Sequence, residues 1–260
     1  ASVGDMLLAG LLPGLFLGLV LIVVVVMQCI KKGYKGSGRF HLGEVVRSFG
    51  HAFWALLAPV IILGGIYSGF VTPTEASALC CFYCLFVGVF IYKEIKIKDI
   101  CKIVYGGVKS AAGIMLIVAA TQAFGWVITR AGIPQTLART FTSSISNPLV
   151  FVFAACLILL VAGCFIDAVP ALLIFAPIFC PTADAYGINM VYFGVVMVIV
   201  LCIGLATPPV GINLYVASSV GGQPVHKIIP HLPIPLLAIF AGTIVVILVP
   251  GIVTFLPNLI

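Results

Sequence analysis

Residues 191–220 read VYFGVVMVIVLCIGLATPPVGINLYVASSV, an apolar stretch with a helical pattern on both sides of a break. After Thr207 come Pro208 and Pro209, so two backbone N–H donors are missing and each ring clashes with the preceding turn. Two glycines flank the break: Gly204 and Gly211. Unwound backbone at membrane depth is tolerated only where it is buried in protein or lines a cavity. The stretch predicts a broken transmembrane helix over 190–219, with a merely kinked helix as the alternative.

A second interruption lies upstream, in residues 147–187. Its apolar pieces, 148–162 and 171–187, are each shorter than the roughly 20 residues that a crossing helix needs. Between them lies GCFIDAVP (163–170), which carries a carboxylate and has no basic residue beside it. Length and composition predict a re-entrant helical hairpin with a buried tip, rather than two full spans.

The chain as a whole is apolar: 63% of its 260 residues are hydrophobic and 8% are charged. A soluble domain has about a quarter of its residues charged, so lipid must be the solvent. The apolar runs are continuous rather than alternating, which excludes a β-barrel. Six of them predict spanning helices: residues 6–28, 52–70, 75–92, 110–128, 190–219 and 229–256. The predicted fold is an all-α integral membrane protein with about six transmembrane helices, one re-entrant hairpin and one broken helix.

The net charge of +6 indicates membrane orientation rather than nucleic-acid binding, because cytoplasmic loops are rich in Lys and Arg. Eleven of the thirteen Lys and Arg residues cluster in segments that would be cytoplasmic: Lys31, Lys32, Lys35, Arg39, Arg47, Lys93, Lys96, Lys98, Lys102, Lys109 and Lys227. Arg130 and Arg139 would lie outside, together with both ends of the chain.

The breaks are suited to bind an anion together with a cation. Freed carbonyl oxygens suit a small hard cation such as Na⁺, and amides at a half-helix N-terminus suit a carboxylate. Thr207 and Asp167 are the side chains placed to help. Asp167 could instead carry a proton, or cap the second hairpin helix through the free amides near Val169 and Ala171.

Enzymatic and zinc chemistry are not predicted. The nine cysteines form no CxxC pair with partner histidines, and the spans contain no nucleophile–base pair. The four histidines lie near the basic side: His41, His51, His226 and His231.

Two further kinds of segment connect the spans. In GGIYSGFVTPTEASA (64–78) a tight turn follows a span, with Thr74 as the predicted N-cap of the next helix and Glu75 favoured by its dipole. Residues 42–57 and 95–109 read as short, positively charged amphipathic helices in the membrane interface, with simple loops as the alternative.

Four strings, in this order and at this spacing, resemble the large membrane subunit (DctM-like) of the tripartite ATP-independent periplasmic (TRAP) transporters. They are GGIYSGFVTPTEASA, FGWVITRAGIP, GCFIDAVPALLIFAPI and GLATPPVGINLYV. The resemblance runs from GLLPGLFLGL (10–19) to the C-terminus. It implies a sodium-driven, elevator-type importer in the bacterial inner membrane. It also implies a small membrane subunit and a periplasmic substrate-binding protein as partners, besides the lipid bilayer and a small organic anion as substrate.

The resemblance also implies site residues and a domain division. The Na⁺ ligands would be Gly163, Gly204, Thr207 and Val210, chiefly through backbone carbonyls. The substrate-binding residues would be Asp167, Ala168, Pro208 and Asn213, and the structural ones Thr74, Glu75, Pro208 and Pro209. Residues 1–146 would be scaffold helices with interfacial arm helices, 147–220 half of a transport domain, and 221–260 a C-terminal transmembrane helix.

The hairpin tip departs from the family pattern. It reads Asp167-Ala168-Val169-Pro170 where the family usually has Asp-Pro-Thr-Ala, so a hydroxyl is missing. The family's first half, with a second hairpin and break, is not in this sequence. Besides sodium-coupled import, two alternatives remain: a proton-coupled or exchange-type anion transporter, and a non-transporting membrane scaffold fragment.

Overall fold

The computed structural model describes residues 2–33, 42–144 and 147–259, and every regular element within these ranges is a helix. In chain order they are α1 (Val3–Lys31), α2 (Leu42–Tyr67), α3 (Pro73–Phe86) with a π-helical continuation (Val87–Ile91), a 3₁₀ turn (Ile97–Asp99), α4 (Ile100–Arg130), α5 (Ile133–Ser144), α6 (Pro148–Phe165), α7 (Ala168–Ala185), α8 (Met190–Gly204), α9 (Ile212–Gly221), α10 (Val225–Ile228), a second 3₁₀ turn (Ile229–His231), α11 (Pro233–Leu248) and α12 (Gly251–Thr254). Lys35, Arg39 and His41 lie outside the described residues.

The all-α membrane fold is confirmed, although the set of spans differs from the predicted one. Among the described residues, six helices are long and apolar enough to cross a membrane, and both hairpin helices are among them. Each hairpin helix has 18 residues, so both are longer than the apolar pieces suggested. Length therefore does not separate a re-entrant hairpin from two spans.

One predicted span was wrong. The predicted last span, 229–256, is not one helix, because α11 ends before Pro250 and a short α12 follows. The range is also bent near its start, because Val225–His231 and Pro233–Leu248 meet at an angle of 56°. The amphipathic segment 42–57 forms the first part of α2, and 95–109 contains a 3₁₀ turn and the start of α4; their position in the membrane interface stays a prediction.

The chain divides into two compact units, residues 1–34 with 115–260 and residues 35–114. These units do not follow the predicted boundaries after residues 146 and 220. The predicted division concerns which helices move together during transport, and it stays a prediction.

The larger unit is built around α8, which packs against α1, α6, α7, α11 and α12. Most of its residues are buried, as expected for an apolar helix without a polar face, while Val198 and Cys202 are exposed. The largest fully buried side chains include Phe193, Met197 and Leu201 of α8 and Phe151 and Leu159 of α6. Glycines bring neighbouring helices close: a Cβ at Gly242 of α11 would lie 2.7 Å from Leu17 of α1.

The smaller unit pairs α2 with α3. Two tyrosine hydroxyls donate hydrogen bonds to carbonyls of α2. Tyr83 of α3 donates to Trp54 at 2.7 Å, and Tyr92, directly after the π-helical continuation, donates to His51 at 2.5 Å. These bonds join the two helices along their length.

The N-cap of α3 is Thr72, so the prediction of Thr74 was wrong. The Thr72 hydroxyl accepts a hydrogen bond from the Glu75 amide at 3.3 Å, and the Glu75 carboxylate accepts one from the Thr72 amide at 2.7 Å. This reciprocal pair is a capping box with Pro73 at the first helical position. Glu75 thus takes part in the cap through these hydrogen bonds, whereas the sequence placed it there for the helix dipole.

Candidate functional site

The hairpin tip is a turn of two residues between α6 and α7. Ile166 is extended, and Asp167 is the N-cap of α7. The Asp167 carboxylate accepts a hydrogen bond from its neighbour Ala168 at 2.8 Å, while its backbone carbonyl accepts the Ala171 amide at 3.1 Å. The capping role weighed from the sequence is therefore present, and the amide that the carboxylate binds is that of Ala168.

The helix break predicted within residues 190–219 is confirmed. The α8 helix ends at Gly204, and α9 begins at Ile212. Within the break, the Thr207 amide donates to the Gly204 carbonyl at 2.9 Å, and the Thr207 hydroxyl donates to the Ile203 carbonyl at 2.8 Å. The Asn213 amide donates to the Leu205 carbonyl at 3.0 Å, which fixes the first turn of α9 to the end of α8.

The base of the hairpin tip lies directly against the break. Gly163 and Gly204 are both buried, and a Cβ on Gly204 would lie 2.7 Å from the Cα of Gly163. Because the atoms at this distance belong to the backbone, no side chain can move aside to make room. Glycine at both positions is therefore what allows α6 and α8 to meet here.

A backbone hydrogen bond joins the tip to the break. The Gly211 amide donates to the Cys164 carbonyl at 3.2 Å. Gly211 has a φ of +51°, in the left-handed region that favours glycine, and a Cβ there would lie 2.9 Å from the Thr207 carbonyl oxygen. Sequence reasoning did not find this bond. Gly211 was noticed as a flank of the break, but nothing in the sequence distinguishes Cys164 from the other apolar residues of α6.

The four predicted ion ligands are connected by these contacts. The backbone of Gly163 lies against that of Gly204, and the Gly204 carbonyl accepts a hydrogen bond from the Thr207 amide. Val210 directly precedes Gly211, whose amide binds the Cys164 carbonyl. Within the described part of the chain, the backbone carbonyls of Gly163, Thr207 and Val210 accept no hydrogen bond. The Gly204 carbonyl accepts one and keeps a second lone pair. The Thr207 hydroxyl donates its proton to Ile203, so its oxygen lone pairs remain available.

Such oxygens are ligands for a hard cation. In residues 2–33, 42–144 and 147–259, no group of three or more His, Cys, Asp or Glu side chains could hold a metal ion. The candidate donors at this junction are thus backbone carbonyls and one hydroxyl.

The four predicted substrate-binding residues occupy two places at the same junction. Asp167 lies in the hairpin tip and Ala168 begins α7, while Pro208 lies in the break and Asn213 in the first turn of α9. Asp167 and Asn213 are exposed, and Ala168 and Pro208 are partly buried. Two helices, α7 and α9, begin here, and helix N-termini attract anions. The assignment of these residues to substrate stays a prediction.

Comparison with known proteins gives consistent matches over nearly the whole chain. The family described as "Tripartite ATP-independent periplasmic transporter, DctM component" matches residues 1–253. A C4-dicarboxylate TRAP transporter large permease protein, DctM, of Pseudomonas aeruginosa is 39% identical over 99% of this chain and 60% of its own length. The sialic acid TRAP transporter large permease protein SiaM of Vibrio cholerae is 38% identical, with the same coverages.

A third relative is the isethionate TRAP transporter permease protein DctMQ of Oleidesulfovibrio alaskensis. It is 34% identical over 95% of this chain and 39% of its own length. The chain therefore spans 60% or less of the length of these relatives.

Proposed function

Because the chain belongs to the DctM component family of the TRAP transporters, we propose that it is part of a sodium-coupled importer of small organic anions. It is an all-α, multi-pass protein of the bacterial inner membrane, and its family consists of transporters, not enzymes. The proposed partners are the small membrane subunit of the family and a periplasmic protein that delivers the substrate.

One observation supports sodium coupling most directly: the unpaired carbonyls of Gly163, Thr207 and Val210 at the contact between tip and break. A carbonyl without a hydrogen bond is costly in a low-dielectric environment, and a bound Na⁺ would supply the missing partner. The site needs both segments, because α6 supplies one carbonyl and the break supplies the others. Binding of Na⁺ would hold the hairpin against the break, and this links ion occupancy to the shape of the neighbouring surface.

The substrate class is proposed from the shared chemistry of the relatives' names. C4-dicarboxylates, sialic acid and isethionate are all organic anions, and the names refer to those proteins alone. At the junction, the Ala168 amide is already bound by Asp167. An incoming carboxylate would therefore meet the exposed Asn213 side chain and the start of α9. In the proposed mechanism, residues 147–220 carry the substrate across the membrane by an elevator-type movement.

The test is uptake into proteoliposomes by the complete natural assembly, with and without an inward Na⁺ gradient. The Thr207→Ala variant should need several-fold more Na⁺ for half-maximal uptake, because one cation ligand is lost, while Thr207→Ser should stay close to wild type. Uptake that ignores the Na⁺ gradient would rule out sodium coupling. An unchanged sodium response in Thr207→Ala would remove that residue from the site.

Proton coupling through Asp167 is the second candidate function. It is favoured by the exposed position of this carboxylate at the hairpin tip, where a proton can reach it. An Asp167→Asn variant keeps one side-chain oxygen that can accept the Ala168 amide, but it cannot carry a proton. Full, pH-dependent uptake by this variant would exclude the proton carrier. No uptake by the complete wild-type assembly under any gradient would favour a scaffold role instead.

A further inference from the structure

An open cavity with both polar and apolar lining lies in the smaller unit, far in sequence from the hairpin and the break. It has a volume of about 610 Å³ and is lined by Arg47, Gly50, His51, Trp54, Ile91, Tyr92 and Glu94. This volume falls within the range of about 300–1,000 Å³ that is usual for small-ligand sites. Nothing in the proposed transport function uses these residues.

One wall of the cavity is a single face of α2. Arg47, His51 and Trp54 follow one another at helical spacings of four and three residues, so their side chains share a face. The residues of α2 after His51 carry no charge as far as Tyr67. The cavity thus lies where α2 passes from a charged segment into an apolar one. Trp and Tyr are typical of this level, at the boundary between lipid headgroups and hydrocarbon.

The opposite wall is shaped by the π-helical end of α3. The wider turn ends at Ile91. Lys93 then has a left-handed φ of +56°, and the amides of Glu94 and Ile95 both donate to the Gly88 carbonyl, at 3.1 and 3.2 Å. Tyr92 reaches across and donates its hydroxyl proton to the His51 carbonyl at 2.5 Å. Hydrogen bonds therefore hold the two walls together, and the cavity is formed without a ligand.

The lining contains one cation and one anion that do not neutralise each other. Arg47 and Glu94 both line the cavity, yet no ion pair within 4.0 Å joins them, and within the described residues Arg47 has no hydrogen-bond partner. A ligand that carries a negative and a positive group about one cavity width apart would satisfy both charges. His51 adds a donor near the arginine, and Trp54 adds an aromatic face that can attract an ammonium group.

We propose that this cavity binds the headgroup of an aminophospholipid, with the phosphate at Arg47 and His51 and the ammonium at Glu94 and Trp54. Arginine binds phosphate oxygens through two parallel N–H bonds. The remaining apolar side chain of the lining, Ile91, meets the glycerol and the first methylene groups. A bilayer supplies such a lipid at the height where the cavity lies, so the ligand reaches the site by lateral diffusion.

The test is native mass spectrometry of the full natural protein, delipidated in detergent and titrated with phosphatidylethanolamine, phosphatidylglycerol or inorganic phosphate. Wild type should retain phosphatidylethanolamine in preference to phosphatidylglycerol. Arg47→Gln should lower that affinity about tenfold, the scale expected for one charge-assisted hydrogen bond, and Arg47→Lys should restore part of it. Glu94→Gln should remove the preference between the two lipids.

Lys102→Gln is the matched control, because Lys102 is an exposed basic residue of the same unit that does not line the cavity. Its lipid binding should equal that of wild type, and each variant should keep the wild-type melting temperature. Three results would overturn the proposal: equal phosphatidylethanolamine binding by Arg47→Gln, preference for phosphatidylglycerol in wild type, or displacement of the lipid by inorganic phosphate at equal concentration.

Discussion

At Gly204, the backbone of α8 lies against that of α6 with no space for a side chain. A Cβ there would lie 2.7 Å from two backbone atoms of Gly163, so Gly204→Ala should force the helices apart. We expect a loss of stability of about 1–3 kcal/mol, the usual cost of overpacking, and loss of Na⁺-dependent uptake. The measurement is the melting temperature in detergent, followed by uptake in proteoliposomes.

Gly14→Ala on α1 is the matched control, since a Cβ at Gly14 meets nothing within 4 Å. It should be neutral or slightly stabilising, because alanine favours the helix more than glycine does. A Gly204→Ala variant as stable and active as Gly14→Ala would show that the close contact is not needed.

The start of α3 gives a second prediction, on two threonines separated by one proline. Thr72→Ala should destabilise the smaller unit by about 1 kcal/mol, because it removes the hydroxyl that caps the Glu75 amide. Thr74→Ala should have little effect, because Thr74 is already inside the helix. Thermal unfolding of the two single variants checks the difference. A larger loss in Thr74→Ala would contradict the observed cap.

The sequence contained the information for this cap, and the prediction used only part of it. Pro is common at the first helical position, and Glu three residues after Thr72 completes a capping box. Both facts select Thr72 over Thr74. The contact between Gly163 and Gly204 is different, because the two glycines are 41 positions apart and only the packing of α6 on α8 brings them together.

At the scale of the helices, hydropathy predicts where apolar segments lie but not where they are interrupted. The break after Gly204 was predicted because two consecutive prolines cannot continue a helix. The interruption before α12 was missed, since a single Pro250 in an apolar run gives a weaker signal. The α5 helix was missed because Ile133–Ser144 is too polar to be recognised as a membrane span. It nevertheless packs against α7.

The prolines of the break should be required for the ion site. Replacing Pro208 and Pro209 by alanine restores two amide donors and removes the clash that ends α8. The helix can then extend, and its amides would bind the carbonyls that we assign to Na⁺. We expect the Na⁺ concentration for half-maximal uptake to rise at least about tenfold, which corresponds to about 1.4 kcal/mol of binding energy.

Pro59→Ala is the control for this double variant. Pro59 lies inside α2, in the smaller unit, so its replacement should leave the sodium response unchanged. If the double variant also kept the wild-type sodium response, the break would not be the cation site.

At the scale of the whole molecule, the basic residues gather at defined helix ends within each unit. In the smaller unit, Arg47 and Glu94 line one cavity, so the start of α2 lies beside the basic segment that follows α3. In the larger unit, the Lys32 ammonium lies 3.3 Å from the His231 ring, which brings the end of α1 to the start of α11. Sequence reasoning reached the same grouping from charge alone, because the positive-inside rule needs no knowledge of packing.

The grouping predicts an orientation that can be measured. Lys96 lies in the basic segment that precedes α4, and Arg130 ends that helix of 31 residues, so the helix is about 46 Å long, enough to cross a bilayer. In a background without native cysteines, Arg130→Cys should react with an impermeant thiol reagent in intact cells. Lys96→Cys should react only after the membrane is permeabilised. Equal labelling of both in intact cells, or the reverse pattern, would contradict the proposed topology. The hairpin and the break would keep their contacts in either case, because those contacts depend on Gly163, Gly204 and Gly211 and not on which side of the membrane the charges face.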